Sequence, residues 1–114
     1  MVTQGEIFYV NLNPRRGHEQ MNHRPAIALS HDMVYQTSNM TIVAPISTTK
    51  RNFPMYHTLK STKTIHGKVL LDQTISLDLK ARNVTKPDIV DQVSHNELAE
   101  IIYLYKLLFS IDEK

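Results

Sequence analysis

Cysteine is absent from this chain of 114 residues, and so is tryptophan. Without a thiol there is no disulfide, no thiolate metal site and no cysteine nucleophile. No apolar run approaches the about 18 residues that a membrane-spanning helix needs. The opening stretch, MVTQGEIFYV, lacks the basic region, apolar core and small-residue cleavage site of a secretory signal. A reduced, cytoplasmic setting is therefore expected. Glycine occurs only three times, and neither a Gly-rich phosphate loop nor a nucleophile elbow is present. His18 and His23 lie five apart on an expected loop, without the tighter spacing and further ligands of a zinc site. No metal and no other cofactor is expected.

What is present suits one small globular domain spanning residues 1–114. Hydrophobic residues make up 41% and charged residues 21%, a balance that sustains a core and argues against disorder. The net charge of +2 conceals an asymmetry. Residues 1–70 carry eight Lys and Arg against three Asp and Glu, a net of +5; residues 71–114 carry five against eight, a net of −3. A basic first part suits a polyanionic partner or a basic surface kept for solubility.

Residues 6–12 (EIFYVNL) read as a strand that ends at the turn signal Asn13-Pro14. After a polar loop, Pro25 opens a second strand, AIALS, because proline suits a strand's first residue. Residues 40–46 (MTIVAPI) form a third, with Pro45 favouring an edge or a bulge. Shorter strands are expected at 55–59 and 68–72. Residues 75–79 read as a strand or a helical turn, and 81–86 as a weak strand. Residues 94–111 form a terminal helix, opened by a Ser94/Glu97 capping box. Leu98, Ile101, Ile102, Tyr105, Leu108 and Phe109 make its apolar stripe. Leu104 and Leu107 widen that stripe, through burial on a barrel or contact with a second subunit. Five or six strands and a helix suggest a small curved antiparallel barrel with the helix packed on it and most aromatics in the core.

Pairing the second and third strands as an antiparallel hairpin makes paired residue numbers sum to about 72. Arg24 then falls near Thr48, and the loop ending at Arg24 can bring Glu19 and His18 alongside. Arg24 is a permanent cation with a planar fork that matches phosphate. Glu19 or His18 can accept a proton, and Thr48 can donate to a phosphoryl oxygen. These are parts for phosphoryl transfer within RNA. Taken singly, each has a plainer role: a surface salt bridge for Arg24 with Glu19, a turn cap for Thr48, an ordinary loop histidine for His18.

The run Gly5-Glu6-Ile7-Phe8-Tyr9-Val10-Asn11-Leu12-Asn13-Pro14, with Gly17-His18-Glu19-Gln20 and Arg24-Pro25-Ala26, resembles the opening of the MazF/PemK family of toxin endoribonucleases. Ala44-Pro45-Ile46-Ser47-Thr48 resembles that family's third-strand motif. Leu70-Leu71-Asp72-Gln73 with Ser76-Leu77-Asp78 and Ala81-Arg82 resembles its fourth. The resemblance implies a small SH3-like β-barrel of the CcdB/MazF type with a C-terminal helix, acting as a homodimer. It implies the toxin of a type II toxin-antitoxin system, which cuts single-stranded RNA at a short sequence without metal and so inhibits translation and growth. The products would carry 2′,3′-cyclic phosphate and 5′-hydroxyl ends. The implied protein partner is a cognate antitoxin with an acidic, partly disordered tail.

By the same resemblance, Arg24 and Thr48 match the family's catalytic arginine and threonine, and Glu19 its first-loop acid. His18 and Asp72 match positions with catalytic roles in the Kid branch. That branch has an arginine where this chain has Leu70, and a half-buried Asp72 tying down a loop is preferred. Glu19 is the first choice of base, His18 the second. Arg16, Gln20, Ser47, Thr49, Arg51, Asp72, Gln73 and Ser76 are expected to contact RNA, with the loop at 49–66 edging the groove. The alternatives are a gyrase-binding, non-enzymatic toxin on the same fold and a plain RNA-binding module.

Overall fold

A computed structural model of the chain describes residues 1–12 and 23–113. Seven antiparallel strands form one curled sheet: β1 (Glu6–Asn11), β2 (His23–Ala28), β3 (Thr41–Ser47), β4 (Tyr56–Thr58), β5 (Lys68–Leu70), β6 (Ile75–Leu77) and β7 (Ile89–Gln92). Helix α1 (Asp32–Ser38) joins β2 to β3, and α2 (His95–Leu107) ends the fold. The spatial order is β4-β5-β3-β2-β1-β7, with β6 also paired to β3.

Both faces of the central strands are buried, which suits their β-branched, apolar sequences. On one face Ile7, Ile27, Ala44, Ile46 and Val69 pack under Leu98, Ile101, Ile102, Leu104 and Tyr105 of α2. On the other, Phe8, Val10, Ala26, Ala28 and Val43 pack with Leu77 and Leu79. Pro45 lies where the outer edge of β3 changes partner, from β6 at Thr41 to Val43 to β5 at Ile46 and Ser47. A missing N–H is tolerated at such a break in the ladder.

Several expectations need correction. The link from β2 to β3 is no simple hairpin but contains α1. That helix has no buried residue and hence no apolar stripe to announce it; the His31 Nδ1 cap, which accepts from the Met33 amide, and the left-handed Asn39 delimit it. The second strand begins at His23, two residues before Pro25. Residues 81–86 are not a strand. The Asp78 carboxylate accepts from the Ala81 amide and Asn83 is left-handed, so the chain turns there; the strand follows at β7. Helix α2 stops at Leu107. Beyond it Phe109 is 68% exposed, its ring set edge-on to Tyr105 at 5.2 Å rather than in the core. Leu108 also lies off the core, and Leu107 is exposed, so only Leu104 of the widened stripe packs within the subunit.

The capping box at Ser94 is half made. Ser94 Oγ accepts from the Glu97 amide at 3.1 Å, but the buried Glu97 carboxylate faces elsewhere. It accepts from the Lys60 and Ser61 amides, the Ser61 hydroxyl and His57 Nε2. Asp91 of β7 accepts in turn from the amides of Lys63, Thr64 and Ile65. Two carboxylates thus satisfy five amides of the segment after β4 and fasten it to the β7–α2 end of the sheet. The curled sheet is closed there by side chains where it lacks a backbone ladder. A reciprocal capping box does occur, between Thr85 and Asp88.

Candidate active site

The site is built at one end of the three central strands. Ala26 faces Pro45, Ile27 faces Ala44 and Ala28 faces Val43, so paired numbers sum to 71, one below the expected value. Continued by two residues, this register sets Arg24 opposite Ser47 and beside Thr48. Arg24 also pairs with Val10 across β1, and Lys68 pairs with Ser47 across β5. Paired residues share a face, so Lys68, Ser47 and Arg24 form a row across β5, β3 and β2. With strands about 4.8 Å apart, the backbones of Lys68 and Arg24 stand about 10 Å apart, with Ser47 between them. Arg24 and Thr48 are both exposed at this end.

The local backbone is held by its own polar groups. Ser47 Oγ accepts from the Thr49 amide at 3.1 Å and Thr49 Oγ1 from the Arg51 amide at 3.2 Å. These successive turns lead the chain out of β3 as the Ser-Thr-Thr sequence favours. Gly67 has a φ of +133°, and a Cβ there would lie 2.5 Å from the Ser47 carbonyl oxygen. Only glycine lets the chain approach β3 so closely before β5 begins.

Lys68 was not among the expected site residues. Its ammonium donates to two neutral oxygens, Arg51 O at 2.6 Å and Asn52 Oδ1 at 2.7 Å. Arg82, quoted above only as part of a motif, donates to the Asn11 carbonyl at 2.8 Å. Asn11 pairs with His23, next to Arg24. Neither residue was identifiable as a site cation, because each joins Arg24 only through strand pairing or a contact 71 residues apart in the chain. The ion pairs among the described residues, His57 with Glu97 and Lys60 with Glu100, lie elsewhere. Of the basic residues in the first part of the chain, Arg24, Lys50, Arg51 and Lys68 lie at this end.

Glu19, His18, Arg16 and Gln20 lie outside the described residues. Of the other expected contacts, Ser47, Thr49 and Arg51 stand together beside Thr48. Asp72 and Gln73 lie on a 3-10 turn that follows β5. Asp72 is exposed and makes no ion pair among the described residues, so it is not the half-buried tie preferred above. Ser76 pairs with Ile42, near the opposite end of β3 from Thr48, about 20 Å along the strand. Among the described residues no group of three or more His, Asp or Glu is placed to hold a metal ion, and no helix is long and apolar enough to cross a membrane.

Comparison with known proteins agrees with this fold. Residues 3–107 match the family described as the PemK-like, MazF-like toxin of type II toxin-antitoxin systems. The chain is 33% identical over 82 residues to the endoribonuclease toxin MazF of Escherichia coli strain K12, covering 72% of this chain and 73% of that protein. Its fold is similar to the crystal structure of MazF from Deinococcus radiodurans, with a TM-score of 0.77, 26% identity and 96% of each chain covered. A MazE-MazF complex from Deinococcus radiodurans shares the fold with a TM-score of 0.75 and 20% identity, over 98% of this chain and 97% of that one. A curled antiparallel sheet with a terminal helix, and a match that spans almost the whole sequence, place this chain in the PemK-like, MazF-like family of type II toxins.

Proposed function

We infer that this chain is an endoribonuclease toxin that cuts single-stranded RNA by attack of a ribose 2′-hydroxyl on the adjoining phosphate. The carrying observation is the β2–β3 register, which sets Arg24 and Thr48 at one end of neighbouring strands. The O2′–P bond forms and the P–O5′ bond breaks, leaving a 2′,3′-cyclic phosphate and a 5′-hydroxyl. Arg24, protonated at any working pH, stabilises charge on the pentavalent phosphorus. Thr48 donates to a non-bridging oxygen. Glu19 is assigned as base, with His18 as the second choice, taking the 2′-hydroxyl proton; the departing O5′ takes up a proton from water, and no metal takes part.

Lys68 adds a second cation to the row, on the far side of Ser47. Bases on either side of the cut are assigned to Arg16, Gln20, Ser47, Thr49, Arg51, Asp72, Gln73 and Ser76. An antitoxin is the protein partner, and its acidic tail would cover the same cations. The chain is assigned as a homodimer, an assignment supported by the exposed Tyr103, Leu107 and Phe109 at the end of α2.

Purified protein incubated with a long RNA in chelator tests this reading. Arg24→Ala and Thr48→Ala should each lose cleavage by about 100-fold or more while keeping the thermal unfolding profile. Wild-type rates in both variants would remove the site. Gyrase inhibition without RNA cleavage would favour the non-enzymatic reading.

A further inference from the structure

Segment 49–56, which leaves the Thr48 end of β3, carries aromatic rings on the surface rather than in the core. Phe53 is 43% exposed, and its centroid lies 5.1 Å from that of Tyr56, with the planes tilted by 40°. The Arg51 guanidinium carbon sits 5.8 Å from the Phe53 centroid, within cation–π range. The group is held firmly from several sides. Lys68 Nζ grips Arg51 O and Asn52 Oδ1, the Tyr56 amide donates to Phe53 O at 2.9 Å, and the Leu71 amide donates to Met55 O at 3.2 Å. Tyr56 itself pairs with Leu70 across β5. A ring set outside the core on a hydrogen-bonded segment, with a second ring beside it and a cation over it, is a plane suited to stacking.

We propose that Phe53, with Tyr56 beside it and Arg51 over it, is a stacking subsite for one unpaired nucleobase of the bound RNA. The proposal rests on the nuclease reading above and adds to it the place of one flanking base. Single-stranded RNA presents splayed bases that stack on aromatic rings and guanidinium planes. Phe53 is five residues from Thr48, so it lies no more than about 18 Å from the site, within reach of a nucleotide near the cut. Lys50, Arg51 and Lys68 supply positive charge for the phosphates between. Stacking accepts any base, so this subsite grips the strand and leaves the reading of sequence to hydrogen bonds elsewhere.

The test uses the full chain and a single-stranded oligonucleotide carrying one 2′-deoxyribose at the cut position, with 2-aminopurine placed at each position in turn. One position flanking the cut should change its fluorescence on binding. In Phe53→Leu, which keeps apolar bulk but not the plane, that change should vanish and affinity should fall by about 5- to 100-fold. Phe53→Tyr should restore both. Cleavage of an all-ribose strand by the wild type is measured alongside. If the wild type cleaves while Phe53→Leu binds and reports as the wild type does, the subsite is wrong and the nuclease reading stands. If Phe53→Tyr fails to restore binding, the ring serves only as packing and the proposal falls. If the wild type neither binds nor cleaves RNA, the underlying reading falls with it.

Discussion

At the scale of the residue, the proposed mechanism divides the chemistry between the guanidinium of Arg24 and the hydroxyl of Thr48. Thr48→Ser keeps the hydroxyl and should retain activity within about tenfold of the wild type. Thr48→Ala should not, because the lost donor served the transition state. Single-turnover cleavage of one oligonucleotide distinguishes the two. Gly67 offers a sharper check on the framework. Alanine there would meet the Ser47 carbonyl and a backbone of φ +133°. Gly67→Ala should cost more than about 1 kcal/mol in stability and should lower cleavage by displacing the end of β3. A protein of unchanged Tm and rate would refute that close approach.

Residues of the site were legible in proportion to how local their signals were. Arg24 and Thr48 follow from two strands and an antiparallel pairing, and the observed register differs from the expected one by a single unit. Lys68 and Arg82 gave no such signal, because only long-range contacts bring them to the site. Phe53 falls in the loop at 49–66 expected to edge the groove, but composition does not reveal which rings a loop holds outward. Glu97 misled for another reason. Its spacing from Ser94 fits a capping box, yet a buried carboxylate goes where most donors converge, and four donors stand on β4 and the segment after it.

At the scale of the element, those donors decide how the sheet is closed. Burial pushes the Asp91 carboxyl up, but amide hydrogen bonds from Ile65, Thr64, Gln92 and Lys63 outweigh it and hold the group well below its ordinary value of 3.8. Burial likewise raises Glu97. The Ser61 hydroxyl, His57 and the amides of Ser61 and Lys60 more than reverse that, so its carboxyl also lies below its ordinary 4.5. Both groups bind protons more weakly folded than unfolded. Their stabilisation is therefore full above about pH 5 and is lost as pH falls through the ordinary values towards the lower folded ones. Thermal melts between pH 7 and pH 3 should show Tm dropping on acidification. Asp91→Asn should lower Tm at pH 7 by roughly 10 °C, corresponding to about 2 kcal/mol, and should flatten the acid slope. A variant with the wild-type profile would show that these bonds do not close the sheet.

The elements themselves were legible where apolar residues alternate or recur. Strands β1 to β3 and helix α2 carry such patterns, and their observed bounds lie within a few residues of those expected. Helix α1 buries nothing and β7 is only four residues long, so caps and tertiary pairing define them. The turn at 81–86 depends on the Asp78 side chain, a contact that propensity does not weigh.

At the scale of the whole molecule, charge decides what the open end of the sheet attracts. Residues 1–70 carry a net of +5, and Arg24, Lys50, Arg51 and Lys68 stand at the proposed site, so RNA affinity should fall steeply as salt rises. The logarithm of affinity should decline linearly with the logarithm of salt, by about 0.7 per phosphate neutralised on a single strand. A flat response in a filter-binding titration would contradict a basic groove. Light scattering should give twice the 13.1 kDa chain mass, whereas a monomer at micromolar concentration would contradict the assigned dimer.

The central claim is that the groups at the ends of β2 and β3 drive a ribose hydroxyl onto its own phosphate. The most direct measurement compares two oligonucleotides in chelator, one of ribose throughout and one with a single 2′-deoxy sugar at the cut. The account predicts that both bind equally, that only the first is cut, and that its fragments bear 5′-hydroxyl and 2′,3′-cyclic phosphate ends. Cleavage of the deoxy-substituted strand at the same position, or fragments with 5′-phosphate ends, would contradict it.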